Sequence, residues 1–227
     1  MATREYPWRH LVLLISILLV FTVSPAVATL RNGILFLNLV AATVIIAGVY
    51  ALSARKRIFA VAIALSVISI ITSALLLFLK EQWALIASHA SDVALAVFFT
   101  ITILGYVLST GRVTADRIFA AICVYLLIGY AWTFAYCLLE EIKPGSLAMP
   151  TQIDRGDYVA QVLQLRYYSF ITLATVGYGD IVPRSPAAQT LAVLEAVIGQ
   201  MYLAVLVARL VGLHIVHANI AESRDKD

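Results

Sequence analysis

The chain has 227 residues, 62% of them hydrophobic and 13% charged, with a net charge of +3 and a mean hydropathy of +0.94. That composition excludes a soluble globular domain and points to an all-α integral membrane protein with little mass outside the bilayer. No phosphate loop, nucleophile elbow, metal-ligand pattern or basic nucleic-acid stripe is present, so no enzyme activity, cofactor or nucleic-acid partner is expected.

Six stretches are apolar and long enough to cross a bilayer, which takes about 20 helical residues. They are Leu11–Leu30, Ile34–Ser53, Ile58–Leu79, Trp83–Leu108, Ile118–Leu139 and Ala188–Leu213. The first has two readings. Arg9, the run from Leu11 to Val23 and the triplet Ala26-Val27-Ala28 fit a cleaved signal peptide ending near residue 28. The continuation toward Leu30 favours a retained span, kinked by Pro25.

Basic residues alternate between connections. Arg4 and Arg9 precede the first span, Arg55-Lys56-Arg57 follow the second, and Arg112 and Arg117 follow the fourth, whereas the other short loops carry only Arg31 and Lys80. Both termini are therefore expected in the cytoplasm, with the chain in a bacterial-type plasma membrane. The fourth span has no lysine or arginine between Trp83 and Leu108. An arginine ladder is what couples a helix to the membrane potential, so gating of that kind is not expected. His89 and Asp92 share a face of this span, as an internal polar pair or as a pH sensor. Cys123 and Cys137 sit too far apart on one helix to form a disulfide.

After the fifth span, Glu140, Glu141, Asp154 and Asp157 with Pro144, Gly145 and Pro150 read as a solvated outer loop with weak attraction for cations. Tyr158–Ala174 is too short and polar to cross, and reads as a re-entrant helix. It leads into Thr175-Val176-Gly177-Tyr178-Gly179-Asp180. An ordinary strand alternates its carbonyls, but glycine at every second position lets them all face one axis. Val176 and Tyr178 would then point away and brace the loop from behind, and Thr175 would add a hydroxyl at its inner end.

Thr172 with Thr175, Val176, Gly177, Tyr178 and Gly179 fits the pattern T-x-x-T-x-G-Y-G, and Asp180 follows it. On these residues, the segment from Ile118 to Leu213 resembles the two-helix pore module of the tetrameric potassium channel superfamily. The resemblance covers less than half of the chain. It implies a potassium filter made by Thr175–Gly179 carbonyls and the Thr175 hydroxyl, with Asp180 at the outer mouth and four copies around one axis. The permeant K⁺ would be the only metal bound. Gly199, nineteen residues beyond Asp180, falls where family members place an inner-helix hinge. A close helix contact is the other reading of that glycine. Gln200, Leu203, Val207 and Val211 would line the cavity on one helix face.

The chain departs from the family behind the filter. Tyr167 and Tyr168 stand where many members have tryptophans, Ile171 where some bacterial channels have a carboxylate, and Ala174 where a threonine is frequent. Weaker bracing of the filter, and hence easier inactivation, follows from that. Glu195, one turn before Gly199, is a buried carboxylate expected either to bond the back of the pore helix or to act in gating.

The expected organisation is a four-helix membrane region over residues 1–110, a pore module over 111–217 and a short cytoplasmic tail over 218–227. That tail is too short for a nucleotide- or calcium-binding domain, so a regulator of that kind would be a separate chain. The leading reading is a potassium-selective homotetrameric channel. A potassium transporter subunit and a non-conducting scaffold or regulatory subunit are the alternatives. The transporter reading would require the pore module to repeat, and it occurs once.

Overall fold

A computed structural model describes residues 8–28, 33–53, 56–79, 81–109, 114–149 and 158–224, without the side chains at 27–28, 33–34, 37, 77 and 210–224. Arg4, Arg31, Arg55, Lys80, Arg112, Pro150, Asp154 and Asp157 lie outside the described residues, and so does the side chain of Val211. The described chain forms α1 (Arg9–Ala28), α2 (Gly33–Ala51), α3 (Lys56–Phe78), α4 (Gln82–Val107), α5 (Ala115–Ile142), β1 (Leu147–Ala148), α6 (Tyr158–Leu173), β2 (Val182–Pro183) and α7 (Pro186–Arg224).

Five of these helices are long and apolar enough to cross a membrane, and Asn38–Ala51 of α2 is a shorter apolar helix. The protein is an all-α, multi-pass integral membrane protein. The second expected span corresponds to α2, a helix of 19 residues from Gly33 to Ala51.

Local chemistry sets the helix ends. Thr114 caps α5 by accepting from the Arg117 amide at 3.3 Å, with Asp116 in the first turn beside the helix dipole. Pro144-Gly145 follows its last turn, Gly145 taking a φ of +81°. Ser185 caps α7, accepting from the Ala188 amide at 3.1 Å, and Pro186 occupies the first helical position. Pro25 does not end α1; the helix runs on through it to Ala28.

The core does not divide at residue 110. Leu13 and Ile17 of α1, Phe99 and Ile103 of α4, Val124 of α5 and Leu173 of α6 belong to one buried cluster. The N-terminal helices are therefore packed onto α5 and α6 rather than standing apart. At the N-terminal end of α1, His10 bonds Asp116 through its backbone amide (3.1 Å) and its ring Nδ1 (2.7 Å), and stacks on Tyr106 of α4 at 4.9 Å. The Ser109 carbonyl, just past α4, accepts from Arg117 of α5 at 3.2 Å and also from Arg209 of α7.

His89 and Asp92 do not pair with each other. Asp92 accepts from Ser69 of α3 at 2.6 Å, whereas the buried His89 ring stacks on Tyr158 at 5.5 Å and Phe134 at 6.5 Å. Three residues along a helix leave about a 60° offset, enough for the two side chains to face different neighbours. Cys123 and Cys137 are both buried and free.

Gly129 of α5 lies in close contact with α6. A Cβ there would come within 2.4 Å of the Phe170 ring. That ring is held edge-on by Phe21 at 4.7 Å and Tyr130 at 5.9 Å, so it has nowhere to turn. Gly129→Ala is expected to destabilise the protein by about 1–3 kcal/mol, read as a lowered thermal unfolding midpoint in detergent. Gly105, whose Cβ would meet nothing within 4 Å, is the control that should tolerate alanine.

Candidate functional site

The segment between α6 and α7 is irregular from Ala174 to Ile181, and its backbone is anchored where it leaves α6. The amides of Val176 and Gly177 both donate to the Ile171 carbonyl, at 2.8 and 3.2 Å, and the Thr175 amide donates to Thr172 at 2.9 Å. Ile171 therefore supports the loop through its carbonyl, a contribution that does not depend on the carboxylate found there in other sequences. The last turn of α6 leaves these carbonyls free, and the loop uses them.

Thr175, Gly177 and Gly179 have φ of +56°, +54° and +79°, whereas Val176 and Tyr178 do not enter that region. Alternate residues thus take opposite backbone hands, which turns successive carbonyls to one side instead of alternating them. A Cβ at Gly177 or Gly179 would meet nothing within 4 Å. Glycine is required there by φ alone. Thr175 adopts the same conformation without being glycine, a strain of about 1–3 kcal/mol that surrounding contacts must hold. One such contact is Gln200 of α7, which donates to the Thr175 hydroxyl at 3.3 Å.

Val176 and Tyr178 are 51% and 72% exposed. At the C-terminal end of the loop, Asp180 accepts from the Ile181 amide at 3.0 Å. The Tyr167 hydroxyl also bonds the Asp180 carboxylate, which raises the phenol above its usual pKa. A tyrosine at this position thus reaches the acidic residue. The following strand β2 pairs antiparallel with β1, Leu147 opposite Pro183, and the Arg184 and Ser185 amides donate to Ser146 at 2.8 and 3.1 Å. Glu140 is a cap rather than a solvated charge: its carboxylate takes the Gly145 and Leu147 amides at 2.9 and 2.5 Å.

Behind the loop lies a buried polar network. Glu195 of α7 is fully buried and accepts from Tyr136 of α5 at 2.7 Å, while its other oxygen lies 2.5 Å from the Ser169 hydroxyl of α6. Ser169 also reaches the Gly129 carbonyl at 2.8 Å. Tyr168 packs edge-on against Tyr136 at 5.0 Å and bonds both Tyr136 and Thr172. One hydroxyl hydrogen on Ser169 faces two oxygens. Every contact is filled only when the carboxyl group itself supplies a hydrogen to Ser169.

α7 continues unbroken through Gly199. A Cβ on Gly199 would lie 2.4 Å from the Leu173 carbonyl, so this glycine permits close contact with the end of α6. Leu203 and Val207 are exposed, at 39% and 58%. Sequence reasoning named Glu195, Tyr168 and Thr172 but missed Tyr136, Ser169 and the Ile171 carbonyl. Glu195 needed donors in an apolar setting, and that need was the available signal.

Residues 151–213 match the protein family described as "Ion channel", a span that takes in α6, the loop and most of the described α7. Comparison with curated proteins and with solved structures returns no match. The loop and the helices on either side of it therefore lie in a segment similar to that family, within a multi-pass membrane protein.

Glu195→Gln can donate to Ser169 and accept from Tyr136, so it should leave the thermal midpoint nearly unchanged. Glu195→Ala strands both partners and is expected to cost about 1–3 kcal/mol, read in the same unfolding measurement.

Proposed function

We propose that the protein is one subunit of a homotetrameric, potassium-selective channel, passing K⁺ passively down its gradient through a filter formed by Thr175–Gly179. The observation that carries this reading is the alternating backbone of the loop, positive φ at 175, 177 and 179, which supplies a row of carbonyl oxygens in place of a hydration shell. The Thr175 hydroxyl completes the row at the inner end.

Fourfold assembly is supported by what one chain leaves uncovered. Val176 and Tyr178 are exposed, and so are Val193, Val197, Met201 and Val205 on α7. A ring of copies would bury such surfaces, and a single wall of carbonyls cannot surround an ion. Gln200, Leu203 and Val207 would face the inner cavity. Among the described residues, α4 carries no lysine or arginine, so the arginine-ladder form of voltage gating is not part of this proposal. We place both termini in the cytoplasm, with Asp180 at the outer mouth.

Purified protein in liposomes should pass K⁺ at least tenfold faster than Na⁺, and Gly177→Ala should abolish the K⁺ flux because alanine at φ +54° is strained. Absent flux, or flux unchanged in the variant, overturns the channel reading and leaves a scaffold. Tyr167→Phe removes the bond to Asp180 and is expected to shorten the conducting period several-fold in single-channel recordings, with K⁺ selectivity retained.

A further inference from the structure

A second feature lies away from the loop. A cavity of about 410 Å³ sits among α1 to α6, its walls largely apolar, with Leu95 and Phe99 on one side and Val162 on another. The volume falls within the range of about 300–1,000 Å³ typical of small-molecule sites. Arg166 of α6 also lines it and is only 7% exposed.

The surroundings of Arg166 are neutral. Its guanidinium donates to the Ser24 hydroxyl at 3.0 Å, lies over the Phe21 ring at 4.9 Å and has the Tyr130 phenol beside it. Among the described residues, no carboxylate pairs with it. Arginine does not give up its proton, and a charge held in low dielectric without a counter-charge costs several kcal/mol. Asp92 lines the same cavity but bonds Ser69, and a carboxyl group escapes burial of its charge by taking a proton. The permanent charge on the cavity wall is therefore positive.

The route in is apolar. Leu35 and Leu39 of α2 and Ile70 of α3 line the cavity and are 45%, 58% and 49% exposed. The mouth thus lies between two helices of the membrane region, where a hydrocarbon chain passes freely and a hydrated anion does not.

We infer that this cavity binds an anionic amphiphile, with one acyl chain in the apolar part and its acid group on Arg166. The acid group supplies the counter-charge that the described residues lack, and the Tyr130 hydroxyl adds a donor to the same head. The site stands on α1 to α6 and is independent of ion passage.

The test is native mass spectrometry of the full chain in neutral detergent, titrated with oleate, oleyl alcohol and phosphatidylglycerol. Oleate or phosphatidylglycerol is expected to bind at least tenfold more tightly than oleyl alcohol, and whichever is retained identifies a free fatty acid or a membrane lipid as the source. Arg166→Gln should erase the preference while leaving the alcohol bound, and Ala96→Trp, which fills the cavity, should weaken all three. Equal affinity of the unaltered protein for acid and alcohol overturns the inference without any variant. A preference that survives Arg166→Gln, or binding unchanged in Ala96→Trp, overturns it as well.

Discussion

Glu195 meets Tyr136 and Ser169 in a setting where water does not compete, and the position of the Thr175–Asp180 loop follows from that junction. Three helices contribute one polar group each, and none can withdraw without leaving the others unsatisfied in hydrocarbon. The penalty for separation is what holds the junction, because a hydrogen bond adds little net stability when made and much instability when broken. Gly129 and Gly199 allow α5 and α7 to approach α6 closely enough for these bonds to form.

The loop inherits its shape from α6. Its amides use the helix's terminal carbonyls at Ile171 and Thr172, and its outer end is tied through Asp180 to Tyr167 one side and, by way of β2, to the Glu140-capped turn on the other. Both ends are fixed by this chain. The middle, Val176 and Tyr178, is not, and that division marks which contacts are intramolecular and which a neighbouring subunit would have to supply.

Much of this was legible in the sequence because the membrane imposes simple rules. Apolar length locates the spans, and the shortness of Tyr158–Ala174 separates α6 from them. Spacing in Thr175–Asp180 locates the loop. What was illegible depends on partners distant in sequence. His89 and Asp92, three residues apart, look like a pair until α3 and α6 are seen to claim one each. Pro25 looks like a helix stop, yet α1 runs on through it to Ala28, near an end where few backbone bonds remain to lose. Glu140 looks like surface charge because the donors to its carboxylate are backbone amides, which have no letter in a sequence. Ile171 acts through its carbonyl, for which side-chain identity carries no information at all.

The Ser109 carbonyl accepts from Arg117 and from Arg209, so both lone pairs of a single oxygen are committed to cations from different helices. Two like charges are held within a few ångströms of one another by one atom. The far end of α7 is thus fastened to the α4–α5 corner. The helices that precede α5 are thereby mechanically engaged with α7 at the end opposite the loop, and a displacement at that corner is a displacement of the helix.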